Sequence, residues 1–210
     1  MRNFMGFGSN ETAWHWLHKL RRAMVRHGRE KLSGIVEVDE AYIDGEEIGT
    51  RKQGRGAEEK SLVVMATESI GRKIGRVWFK IISDASTENL LPFVEDNIEG
   101  GSEIITDGWT GYTFLSKRKD YKRTEKVISG SVKEAPELLP HIHLVISLLK
   151  RWINGTHQWK MTPKYLEYYL DEFAFRFNRK MSTYRGKLFF RLMQQAVTTP
   201  PITNNLLTNK

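Results

Sequence analysis

Residues 34–45, GIVEVDEAYIDG, decide how this chain is read. The segment is rich in β-branched residues and is bounded by glycines, the signature of a β-strand. Asp39 interrupts it. Burying a carboxylate among Ile35, Val36 and Val38 is costly unless the group is paired or binds a cation. Side chains alternate along a strand, so Glu37 and Asp39 share a face while Glu40 points away. The competing role for Asp39 is a solvated strand edge.

Outward from this strand the chain divides by its patterning. Residues 48–60 are polar and glycine-rich and predict a loop. The run SLVVMAT (61–67) and the segment Ile74 to Ile82 predict further strands. Thr87 to Ile98 reads as a helix with Leu90, Leu91, Val94 and Ile98 inward, with Pro92 tolerated best in a first turn. Glu103 to Thr106 is a short strand stopping at Asp107. Gly108 to Leu115 predicts a short helix or turn, and a strand is expected near Val127. Beyond residue 140 the periodicity is helical: His141 to Ile153, closed by Gly155; Pro163 to Asn178, with proline in the first turn; and roughly 185–197. Near the start, Ser9 or Asn10 can cap a helix whose Ala13, Leu17, Leu20 and Met24 share one face. Lys19, Arg21, Arg22 and Arg26 crowd the remainder. Strands first and helices later imply an α/β or α+β fold.

The 210 residues make one generous domain, or one with a short appendage. There is no cysteine, which excludes disulfides, thiolate metal sites and a cysteine nucleophile. No apolar run reaches membrane-spanning length and no signal-peptide core begins the chain, so a soluble cytoplasmic protein is expected. The net charge of +8 is unevenly placed: +5 over residues 1–31, −5 over 32–140 and +8 over 141–210. An acidic centre between basic ends suits a metal-dependent enzyme acting on a polyanion.

Three further positions carry candidate chemistry. Asp107 stands at a strand's C-terminal end, a common place for catalytic or metal-binding carboxylates in open sheets; its competing role is an Asx-turn cap. His143 and Lys150, seven residues apart in HIHLVISLLK, fall on one helix face about 10 Å apart. His141 faces elsewhere. A strand aspartate, a strand-end aspartate and a helix group some 36 residues further on (107 to 143) make the layout of a two-metal phosphoryl-transfer site.

The segments EVDEAYIDG, GRGAEEKSLVV, ITDGWTGY, LPHIHLVISLLKRWINGTHQ and YLDEFAFRFNRK together resemble the DDE-type transposases of bacterial insertion sequences. Specifically they resemble the insertion-sequence 1595 family with its ISXO-type integrase-like domain, over about residues 33–196. The resemblance implies an RNase H-like α/β fold, a mixed sheet flanked by helices. It implies Asp39 and Asp107 as metal-binding aspartates, His143 at the third position, and Lys150 as the associated lysine. Two Mg²⁺ or Mn²⁺ ions would be the cofactors. Imidazole is a softer ligand than Mg²⁺ prefers, so Glu134 and Glu137 stand as alternative third ligands, Glu137 the better placed.

Full-length relatives carry a cysteine zinc ribbon and a helix-turn-helix, so this chain resembles an N-terminally truncated member. Residues 1–31 would be the remnant of that region, 32–197 the catalytic domain and 198–210 a disordered tail. The implied activity is metal-dependent strand cleavage and strand transfer at insertion-sequence ends, with target DNA as second substrate. Phosphate contacts would come from Lys19, Arg21, Arg22, Arg26, Lys150, Arg151, Arg176, Arg179 and Lys180. A homo-oligomer on DNA, in the bacterial nucleoid and away from membranes, is expected. The competing functions are a non-catalytic DNA-binding remnant and a general nuclease of similar fold.

Overall fold

A computed structural model of the chain describes residues 6–25, 29–44, 60–126, 138–157 and 163–200. The strands are β1 (Ile35–Asp44), β2 (Lys60–Ile70), β3 (Lys73–Ile82), β4 (Glu103–Thr106) and β5 (Lys122–Glu125). They form one sheet in the order β3-β2-β1-β4-β5. β1, β2 and β3 are antiparallel neighbours, whereas β4 runs parallel to β1 and β5 parallel to β4. The helices are α1 (Asn10–Ala23), α2 (Thr87–Asn97), α3 (Pro140–His157), α4 (Pro163–Phe177) and α5 (Arg185–Thr198), with a 3-10 helix over Thr110–Lys117. The expected mixed sheet with helices beside it is the fold observed.

The described structure forms two compact units, residues 30–163 and residues 1–29 with 164–210. The first contains the sheet. On one face Val36, Val38, Val64, Ala66 and Ile104 pack with Leu90, Phe93 and Val94 of α2 and with Tyr112 and Leu115 of the 3-10 helix. The other face of β1 and β2 carries α3, whose Ile142, Val145 and Leu149 are buried. Both faces being covered explains why β2 is an unbroken apolar run rather than an alternating one. A two-residue turn with Gly71 at φ 61° joins β2 to β3, a conformation open to glycine at little cost.

Several details depart from the expectations. Helix α2 continues through Pro92, where the missing N–H would leave the carbonyl of exposed Glu88 to water. Its inward residues include Phe93 in place of Leu91. Helix α3 passes through Gly155 to His157. Gly155 has no positive φ, so it weakens the helix without ending it. β5 lies just before Val127, which itself falls outside the described residues. The predicted loop over 48–60 lies outside them too, save for Lys60, which opens β2.

In the second unit Ser9 caps α1, its hydroxyl accepting the Thr12 amide at 3.0 Å. The buried face of α1 is Ala13, His15, His18, Arg21 and Ala23, not the Leu17, Leu20 and Met24 stripe. The reason is the partner surface, which is aromatic and acidic. His18 sits among the rings of Trp14, Tyr165, Tyr168 and Tyr169, and burial lowers its pKa to about 4. Arg21 pairs with Glu172 at 2.8 Å and lies over the Tyr169 ring. Contacts therefore group residues 1–29 with α4 and α5, whereas the sequence boundaries were drawn at 31 and 197.

Candidate functional site

Glu37, Asp39 and Asp107 of the first unit lie along or just beyond the stretch where β1 and β4 run side by side. β1 pairs with β4 in the register Ile35 to Glu103, Val36 to Ile104 and Glu37 to Ile105. That offset of 68 residues is also the separation of Asp39 from Asp107. Asp107 directly follows β4, so the register continued two residues past its last pair, Glu37 with Ile105, sets it beside Asp39, neighbouring strands lying about 4.8 Å apart. Partners in register point to the same face. Val36, Val38 and Ile104 pack toward α2, so Glu37, Asp39 and Asp107 fall on the α3 side.

Each carboxylate has a defined environment. Asp39 accepts the Glu40 amide at 2.8 Å through Oδ1. Its Oδ2 lies 3.6 Å from Nε2 of His143. Burial pushes the Asp39 pKa up to about 6; the Glu40 amide opposes this and the charge of Asp107 adds to it. Asp107 accepts the Trp109 amide at 3.0 Å through Oδ1, so the Asx turn anticipated for it forms with one oxygen. Burial pulls the His143 imidazolium below its ordinary value, against the charges of Glu37 and Asp107. At neutral pH the ring is neutral and its 3.6 Å contact with Asp39 is not a charged pair.

Glu37, only a flanking residue in the sequence reading, fixes the geometry. Its buried carboxylate accepts the amides of His141 (3.0 Å) and Ile142 (2.8 Å) in the first turn of α3. The Ser69 hydroxyl donates to it at 3.1 Å, and Ser69 Oγ is 2.8 Å from His141 Nδ1. A carboxylate on exposed helix amides is favoured by hydrogen bonding and by the helix dipole. It ties the start of α3 to the sheet and thereby places His143. His141, set aside in the sequence reading, belongs to this tie.

Glu40 points to the opposite face, as strand alternation requires, yet it is not remote. It accepts the hydroxyl of buried Tyr112 at 2.6 Å. Burial raises its pKa to about 7, the Tyr112 bond working against that and Asp39 and Asp107 adding to it. The tyrosine of ITDGWTGY could have been suspected from its place five residues after Asp107, but its partner could not.

The other predicted residues are scattered. Lys150 is half-buried on α3, two turns beyond His143, and Arg151 is exposed beside it. Arg21 is committed to Glu172 inside its own unit, with its side chain 8% exposed, so it is not free to grip phosphate. Arg176 is exposed and 3.3 Å from Glu172. Arg179 and Lys180 lie over the Phe175 and Phe177 rings. Lys19 and Arg22 are half-buried on α1. Arg26, Glu134 and Glu137 lie outside the described residues.

Among the described residues no three His, Asp or Glu side chains are gathered into a ready-made metal cage. The chemistry of the set nonetheless suits a hard divalent cation. Asp39, whose ionised form is opposed by burial and by the charge of Asp107, would gain from one, and the Asp107 carboxylate and the His143 imidazole could share it, with remaining positions left for water or phosphate oxygens.

No curated protein matches the chain. Among solved structures it is similar to a chain in the cryoEM structure of the simian T-cell lymphotropic virus intasome in complex with PP2A regulatory subunit B56 gamma. That similarity is 10% in identity over 86% of this chain and 53% of that one, with a TM-score of 0.38. The chain thus spans about half the length of that intasome chain. A family model described as the ISXO2-like transposase domain matches residues 31–178. The matched range takes in the strand that carries Asp39, Asp107, the α3 pair and the end of α4. With well over half of its length accounted for in this way, the chain belongs to the ISXO2-like transposase domain family.

Proposed function

We propose that this protein is a DDE-type transposase, cleaving DNA at insertion-sequence ends and joining the freed 3′-hydroxyl to target DNA. The observation that carries the reading is the shared offset of 68 residues. Continued two residues past the last pair, Glu37 with Ile105, it brings Asp107, just after β4, beside Asp39 of β1, whose Oδ2 lies 3.6 Å from His143 Nε2. Asp39, Asp107 and His143 would hold two divalent ions, Mg²⁺ or Mn²⁺, whose contribution is Lewis-acid activation of the attacked phosphate and charge stabilisation of the leaving oxygen.

The chain's own residues position. Glu37 fixes the start of α3 against the sheet, so that His143 faces Asp39. His143, neutral at working pH, offers a lone pair without adding positive charge. Lys150 and Arg151 present cations to the DNA backbone two turns further along. Arg176, Arg179 and Lys180, in the other unit, are further candidates for phosphate contacts. The work is alignment and charge stabilisation, with no covalent protein intermediate. Two DNA ends and a target must be held at once, which favours a homo-oligomer on DNA, in the bacterial nucleoid.

The test is cleavage and joining of a labelled duplex carrying the element's terminal repeat, with Mn²⁺ or Mg²⁺. Asp39→Ala and Asp107→Ala should abolish both steps while circular dichroism stays unchanged. Activity surviving either substitution removes the mechanism. A non-catalytic DNA-binding remnant is the second reading, favoured by the lack of a three-donor cage among the described residues. DNA binding indifferent to divalent ions and to Asp107→Ala, without cutting, would establish it. Cutting of any duplex without joining would instead indicate a general nuclease.

A further inference from the structure

Trp109 stands two residues from Asp107 and is 48% exposed. A large aromatic side chain left half in solvent usually costs nothing worth explaining when it stands alone. This one is held. Its indole N–H donates to the Ala85 carbonyl at 2.7 Å. Its backbone N–H donates to Asp107 Oδ1 at 3.0 Å, coupling the ring's base to a site carboxylate. Gly111 closes the arrangement. A Cβ there would lie 2.3 Å from the Ala85 oxygen and 2.7 and 2.8 Å from Nε1 and Cδ1 of Trp109, so only glycine leaves room for the ring. The Thr87 hydroxyl holds the Gly111 carbonyl at 3.0 Å. The indole is thus pinned at its edge, with much of its surface still open to solvent beside the acidic end of β4.

We infer that Trp109 is a stacking platform for a nucleobase next to the phosphate under attack, and that the substrate it selects is DNA with unpaired bases at that position. Every base has a π-face, so an aromatic platform binds without regard to sequence. A base inside a duplex is already stacked on its neighbours and must leave the helix before it can meet the indole. The preference is therefore for frayed or single-stranded ends over fully paired DNA. A pinned ring surrenders little freedom when a base settles on it, which is the advantage of the Ala85 bond and of Gly111. This inference deepens the strand-transfer reading and rests on it for the identity of the attacked phosphate.

The experiment compares a fluorescein-labelled blunt duplex with the same duplex carrying two or three unpaired nucleotides, one of them 2-aminopurine. Anisotropy and 2-aminopurine emission are read with calcium in place of magnesium. The wild-type protein should bind the unpaired end about tenfold more tightly and quench the 2-aminopurine. Trp109→Ala should lose both effects and leave blunt-duplex affinity unchanged. Trp109→Phe keeps a stacking face but lacks the Ala85 bond, and should retain most of the preference. Loss of quenching in Trp109→Phe equal to that in Trp109→Ala would overturn the inference in favour of a purely structural tryptophan, as would an unpaired-end preference that survives Trp109→Ala. Should Trp109→Ala fail to fold, quenching by Trp109→Phe alone decides. Failure of the strand-transfer reading has a different appearance: a tryptophan-dependent preference in a wild-type protein that neither cuts nor joins DNA.

Discussion

The clearest quantitative consequence of the site is that the metal-free protein loses stability as its carboxylates ionise, and that Asp39→Asn reverses part of that loss. Folding raises the Asp39 pKa from 3.8 to about 6 and the Glu40 pKa from 4.5 to about 7. A raised acid binds its proton more tightly in the folded state than in the unfolded one. Folding stability then falls as pH rises from the unfolded value to the folded value, and the whole penalty is present above the latter. For Asp39 that window is 3.8 to about 6, and the move is worth about 3 kcal/mol. For Glu40 the window is 4.5 to about 7, with a similar magnitude. Asp39→Asn removes the first window and also relieves Glu40 of a neighbouring charge. The variant should match the wild type near pH ~4 and exceed it by about 3 kcal/mol near pH ~8. Asp171, raised to about 7 chiefly by burial, titrates in both proteins and cancels from the difference. Urea denaturation followed by circular dichroism, in chelator and at a series of pH values, measures it. Saturating Mn²⁺ should then stabilise the wild type, by about 2.7 kcal/mol at a hundred times Kd, and leave Asp39→Asn nearly unmoved. A stability difference between the two proteins that is flat from pH ~4 to ~7, or an Asp39→Asn protein no more stable than wild type near pH ~8, would refute the reasoning.

Other expectations follow from individual contacts. Tyr112→Phe removes a 2.6 Å bond that favours ionised Glu40, so the Glu40 carboxyl should titrate at still higher pH, readable as its ¹³C carboxyl shift. Glu37→Ala leaves two amides of the first turn of α3 without their acceptor. A loss of about 2–4 kcal/mol is expected, with faster hydrogen exchange concentrated at residues 141–146; exchange unchanged there would contradict the clamp. Gly111→Ala drives a methyl into the Ala85 carbonyl and should cost about 1–3 kcal/mol, accompanied by a red shift of Trp109 fluorescence in a protein retaining that tryptophan alone. Arg76→Ala leaves the 9%-exposed Glu68 carboxylate without its 2.6 Å partner. It should lower the unfolding free energy by about 1–3 kcal/mol at neutral pH, less in acid, because the Arg76 and amide bonds that hold the Glu68 pKa down against burial are lost as it protonates.

How much of this was legible beforehand can be judged residue by residue. The strand around Asp39, the short strand ending at Asp107 and the helix carrying His143 and Lys150 were all readable, because hydrophobic period and turn residues are local properties. The stripe Leu17, Leu20, Met24 misled, since periodicity reports which face is apolar and not which face finds a partner. Here the partner was tyrosine-rich and acidic, and it selected His18 and Arg21 instead. Glu40 was assigned to the correct face of its strand but not to Tyr112, which lies 72 residues away.

From the primary chain alone came the elements, the excess of carboxylates over residues 32–140 and the separation of 68 residues between two aspartates. That number acquired meaning only when β4 paired in parallel with β1 at the same offset, turning a distance along the chain into adjacency. The clamp of Glu37 on α3, the Glu40–Tyr112 bond and the pinning of Trp109 by Ala85 were likewise decided by tertiary structure. Each joins groups 24 to 105 residues apart. Local propensity carries no information about such partners, and only packing of both sheet faces brings them within hydrogen-bonding reach.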